Sequence, residues 1–151
     1  MVAPGKPVRA ELADPVARLR VELIDLASTC DIDGLAEIAL RDGTELSLSG
    51  IDDPAESWRD LETHGDTPMA TMAAVLHLAP GVIDTGGELI YVWPSAFAVD
   101  DWSQLAAQQR DELTDLLGIR ALDVWEAWGG YVCYRVGISE NGVWLSFVAG
   151  D

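Results

Sequence analysis

The stretch Gly129-Gly-Tyr-Val-Cys-Tyr-Arg-Val-Gly-Ile138, Ser139-Glu-Asn-Gly142, Val143-Trp-Leu-Ser-Phe-Val-Ala149 decides the fold. Two β-branched and aromatic runs flank a turn that ends in Asn141-Gly142, the pattern of a β-hairpin. A four-residue loop would pair Ile138 with Val143, Val136 with Leu145 and Tyr134 with Phe147. In that register Val132, Tyr134, Val136 and Ile138 share one face with Val143, Leu145, Phe147 and Ala149. A slip of one residue would mix Arg135 and Ser146 into the apolar set, so alternation constrains the pairing. The remainder of the chain is expected to pack on this ribbon.

Working outward, helices are announced by Asp-Pro and Thr-Pro pairs that supply an N-cap and a first-turn proline. Asp14-Pro15 precedes Val16, Leu19, Leu23, Leu26 and Ala27 at helical spacing. Asp31-Ile-Asp33-Gly34 restarts the chain as a second helix carrying Leu35, Ile38 and Ala39, closed at Arg41-Asp-Gly43. Asp53-Pro54 opens a third helix with Trp58 and Leu61, and Thr67-Pro68 a fourth with Met69, Met72, Ala73 and Leu76. Thr44–Ser49 alternates as a half-buried strand, whereas Glu88–Trp93 is apolar on both sides and suits a strand covered on both faces. The stretch 84–87 reads as a loop. Asp100-Asp101 caps a helix with Trp102, Leu105, Leu113, Leu116 and Leu117, and a short helix spans Ala121 to Trp128. Residues 1–13 are expected to form a flexible tail and residues 14–151 a single domain. The fold class is α+β: a small, mainly antiparallel sheet of about four strands ending in the C-terminal hairpin, packed with about six short helices.

The chain of 151 residues has 26 acidic residues against Lys6 and eight arginines, and a net charge of −17. Such a surface opposes contact with nucleic-acid phosphates and permits three readings: plain solubility, an acidic habitat, or attraction to a basic partner. No run approaches the ~20 apolar residues of a membrane span, and no signal peptide is visible. Localisation stays open, because an export segment could have been removed. Cys30 and Cys133 are read as buried thiols or, in an oxidising compartment, a long-range bridge. Their spacing, like that of His64 and His77, matches no metal motif. Asp31-Ile-Asp33-Gly34, Asp52-Asp53 and Asp100-Asp101 are explained by helix capping, since the helix dipole favours acids at that end.

Tyr91-Val-Trp-Pro-Ser-Ala-Phe-Ala98, Gly130–Ile138 and Gly142-Val-Trp-Leu-Ser-Phe-Val-Ala-Gly-Asp151 together resemble a group of uncharacterised bacterial small proteins, some exported or lipid-anchored. The resemblance implies bacterial origin and a shared fold, and it transfers no activity.

Pairing geometry yields one recognition surface. The hairpin face away from the expected core set carries Tyr131, Cys133, Arg135 and Gly137 opposite Val148, Ser146 and Trp144, with Trp93 extending it. The indole of Trp144 would lie over Gly137 and stack on Arg135. Trp93, Tyr131, Arg135 and Trp144 are therefore the expected binding residues, with no catalytic or metal-ligating residue and no cofactor. The leading reading is a non-enzymatic binding or interaction domain for an unknown protein or small ligand. The alternatives are an enzyme or pocket protein on a cone-like α+β fold, and an acidic inhibitor or immunity protein that neutralises a basic partner.

Overall fold

A computed structural model describes residues 12–47, 51–78, 80–95, 111 and 134–148. In chain order the elements are α1 (Asp14–Ser28), α2 (Ile32–Asp42), β1 (Glu45–Leu46), α3 (Pro54–Thr63), α4 (Pro68–Leu76), β2 (Gly81–Asp84), β3 (Leu89–Trp93), β4 (Arg135–Ser139) and β5 (Trp144–Val148). The fold is α+β. Its mixed five-stranded sheet has the order β1-β5-β4-β3-β2, antiparallel throughout except for the parallel β1–β5 pair. The helices expected at residues 100–118 and 121–128 lie outside the described residues except for Asp111, which is helical, and so does Tyr131.

Local chemistry sets the helix boundaries. Asp31 and Asp53 accept backbone N–H bonds from Gly34 and Glu56, each at 3.0 Å, so both act as N-caps. Asp14 does not. It sits inside α1, whose N-cap is Ala13, and Thr67 likewise gives α4 no side-chain cap. There the proline in the first turn, which needs no N–H partner, marks the start. Leu12 and Ala13, assigned to the tail from sequence, pack half-buried against the core.

Between α1 and α2 the chain turns at Cys30, which has φ 55°. The N–H of Asp31 reaches Leu26 O at 2.8 Å and that of Cys30 reaches Ala27 O at 3.1 Å, closing the last carbonyls of α1 in a Schellman arrangement. Cys30 is an exposed, free thiol, contrary to the expectation of burial or bridging. Cys133 lies outside the described residues.

The strand Gly81–Asp84 was not expected. Pro80-Gly81 reads as a helix stop, yet Val82 and Ile83 pair with Tyr91 and Ile90 across the loop 85–88. Thr85 N–H donates to Glu88 O at 3.0 Å, and Gly86 at φ 92° completes that turn. Of the expected Thr44–Ser49 strand, Glu45–Leu46 forms, held beside Ser146 and Phe147, and residues 48 and 49 lie outside the described residues.

The C-terminal hairpin forms, in a different register from the expected one. Gly142 N–H donates to Ser139 O at 2.9 Å with Gly142 at φ 84°, which makes a three-residue loop, Glu140–Gly142. Ile138 then faces Trp144, and a bulge leaves Leu145 unpaired, so that Gly137 faces Ser146 and Val136 faces Phe147. The even-numbered residues of β4 face the helices as expected. On β5 the bulge brings Trp144 and Phe147, three positions apart, into the same core. That core joins Tyr91, Trp93, Val136, Ile138, Trp144 and Phe147 of the sheet to Val16, Leu19 and Leu23 of α1, Leu35 and Ile38 of α2, Trp58 of α3 and Met72 and Leu76 of α4.

Two stability measurements follow. Trp144→Ala is expected to cost ~3–5 kcal/mol in chemical unfolding, as for a large aromatic removed from a packed core. Cys30→Gly is expected to raise stability by about 1 kcal/mol, because the left-handed backbone that cysteine adopts at a penalty suits glycine. An unchanged melting temperature for both variants would contradict these assignments.

Candidate functional site

The residues expected to form a recognition surface separate into different environments. Trp144 has no solvent exposure and stacks on Trp58 of α3 with ring centroids 6.3 Å apart and planes 20° from parallel. Its indole N–H donates to Ser146 O at 3.0 Å. Trp93 is equally inaccessible, opposite Val136 on the same face. Arg135 is half-exposed at the start of β4, and strand alternation puts it on the other face, with Gly137 and Ser146. The expected stacking of Trp144 across Gly137 therefore does not form. The space beside Gly137 belongs to Ser146, whose Oγ would lie 2.9 Å from a Cβ built there. The physical cause is the bulge at Leu145, which turns Trp144 toward the helices.

The backbone of Trp144 is claimed by side chains at and just past the end of α2. Asp42 accepts its N–H at 3.0 Å, and the Thr44 hydroxyl donates to its carbonyl at 2.7 Å. The same Asp42 carboxylate takes a two-pronged contact from Arg41, with Nε at 2.9 Å and the terminal nitrogen at 3.3 Å. The hydrogen bond from Arg41 holds the Asp42 carboxyl below its ordinary value of 3.8, assisted by the Trp144 N–H and opposed by partial burial.

Two open hollows are formed by the described residues. One, about 510 Å³, lies where the hairpin turn meets α1 and is lined by Pro15, Arg18, Glu22, Arg41 and Asn141 among others. Gly142 approaches so closely there that a Cβ would fall 2.8 Å from Pro15 Cβ. The other, about 310 Å³, lies between the end of α2, β1 and the start of α3. Beside it stands Leu40, 68% exposed; Leu40 and Val21 are the exposed large hydrophobics among the described residues. Sequence reasoning passed over Leu40, although it stands next to Ala39 and out of phase with the buried Leu35 and Ile38.

His64 and His77 sit exposed at the C-terminal caps of α3 and α4. His64 Nδ1 lies 2.7 Å from Asp60 O, a contact that raises its pKa together with the nearby Asp60 charge. Among the described residues no group of three or more His, Cys, Asp or Glu side chains could hold a metal ion, and no helix is long and apolar enough to cross a membrane. No family model matches the chain, and neither the curated proteins nor the solved structures contain a significant match.

The depressed pKa of Asp42 fixes the sign of a pH effect. Its ionised form contributes stability above pH 3.8, and that contribution fades as the pH falls through the lower folded value. Asp42→Ala is expected to cost about 1.5–3 kcal/mol at neutral pH, the range for hydrogen bonds to a charged group. The difference between Asp42→Ala and the parent should shrink in unfolding titrations carried down toward pH ~3. A difference that stays constant or grows as the pH falls would contradict the ionised Asp42 clamp.

Proposed function

We propose that this chain is a non-enzymatic interaction domain, of the bacterial group its segments resemble, whose acidic surface recognises a basic protein partner. The observation that supports the reading most is the net charge of −17 in a chain with a single lysine. Charge of one sign at this density steers an oppositely charged partner and speeds encounter. Several of the described arginines are already engaged within the chain. Arg20 donates to Leu76 O at 2.9 Å, Arg41 binds Asp42, and Arg59 reaches Asp33 at 2.7 Å. An inhibitor or immunity protein that neutralises a basic toxin is the most specific form of this reading.

A small-molecule pocket protein or enzyme is the second reading, centred on Trp93 and Trp144; Arg135, on the opposite face of the sheet, falls outside that pocket. It is favoured by the indole Nε1 of Trp93, a buried donor for which no hydrogen-bond partner exists among the described residues.

Crosslinking of the full chain in a cell extract, followed by mass spectrometry, tests the leading reading. The expected partner is basic, and the complex should weaken about tenfold between ~50 and ~300 mM salt as charge is screened. A neutral or acidic partner held with no salt dependence would contradict it, and a low-molecular-weight ligand retained instead would favour the second reading.

A further inference from the structure

We infer that the hollow beside Leu40 is the point at which a basic partner docks, and that it takes an arginine or lysine side chain lengthwise. This rests on the interaction-domain reading above and gives it a location. Ala39 and Pro54 are buried and Leu46 is half-buried, so the lining is largely apolar, and Leu40 stands up beside it with 68% of its surface in solvent. Asp52, exposed, supplies a carboxylate at the edge. Glu37 lies three residues before Leu40 on α2, the spacing that places two helical residues on the same side, and it too is exposed. Among the described residues no lysine or arginine lines the hollow.

An apolar channel with acids at its mouth fits a side chain that is apolar along its stem and cationic at its tip. Arginine and lysine have that build: the methylenes bury against aliphatic surface while the head stays near water and a carboxylate. A purely apolar side chain would leave the acids without a counterpart, and an anionic one would be repelled. A volume of about 310 Å³ holds one long side chain and little more. The turn at Gly43, with φ 66°, carries no side chain over the opening. The exposed leucine on α2 supplies the apolar contact that gives a charged surface a specific address, since charge alone attracts basic chains without choosing where they sit.

The test uses the full chain, labelled with ¹⁵N, and two capped probes: a pentapeptide of alternating arginine and leucine, and its glutamate–leucine counterpart. The expected result is weak, saturable binding of the arginine peptide with Kd of about 0.1–1 mM. Amide shifts should concentrate on Leu40, Gly43, Leu46 and Asp52. Leu40→Ser should weaken binding about tenfold at unchanged melting temperature, as expected for a surface position. Asp52→Asn should weaken it about threefold and flatten the salt dependence. Shifts scattered over all acidic residues, with Leu40→Ser without effect, would overturn the docking site and leave the basic-partner reading standing. Equal binding of the glutamate peptide, or no binding of either, would overturn both.

Discussion

Everything in this fold leans on how Trp144 is held. Its side chain is stacked on Trp58, its indole N–H is returned to its own strand at Ser146, and both its backbone polar groups are taken by Asp42, the last residue of α2, and by Thr44. A residue at the first position of a strand would ordinarily give its N–H and C=O to a neighbouring strand. Here Asp42 and Thr44 replace that partner, so the N–H and C=O of Trp144 stay paired beside the break in the ladder at Leu145. The bulge is therefore stabilised by α2, and the bulge in turn directs the largest side chain of β5 at α3.

From that tie the two layers acquire their mutual position. The hairpin turn lies on the first turn of α1, where Gly142 provides both a left-handed backbone and the absence of a Cβ against Pro15. Glu140, in the same turn, bonds Leu89 twice, accepting its N–H through the carboxylate and donating its own N–H to the Leu89 carbonyl, both at 3.0 Å. On the opposite side of the helical layer, Arg20 of α1 closes the last turn of α4 by donating to Leu76 O, where a positive charge also suits the helix dipole. These contacts are few and polar. Between them lies a continuous apolar core that supplies the bulk of the stability but not its directional detail.

The sequence made the helices legible because capping and first-turn prolines act locally. Asp31 and Asp53 bond N–H groups three residues away, and no tertiary information is needed to anticipate that. The hairpin was legible as an element and misread in register, because the choice between a three- and a four-residue loop depends on Gly142 fitting against Pro15, a contact between distant parts of the chain. The recognition surface assigned to Trp93 and Trp144 failed for the same reason. Strict alternation puts Trp144 with Arg135, and the bulge at Leu145, beside the Asp42 and Thr44 contacts, turns it to the other face. The short strand Gly81–Asp84 was hidden by Pro80-Gly81, although Val82-Ile83 before a Thr-Gly-Gly turn and a second apolar run was a usable hairpin signal. Tyr131 and, except for Asp111, the two later helices fall outside the described residues.

With Trp58, Trp93 and Trp144 in the core, what the described surface offers a partner is charge, relieved at Leu40 and Val21 by exposed apolar side chains. The most direct test of this architecture is native-state hydrogen exchange at the Trp144 backbone amide. That N–H bonds a side chain rather than a strand, so its protection reports the clamp itself. The account predicts that it exchanges only through global unfolding, as slowly as the central amides of β3 and β4. Exchange through local opening, with a rate like that of the hairpin turn, would mean that Trp144 is not the residue on which the two layers depend.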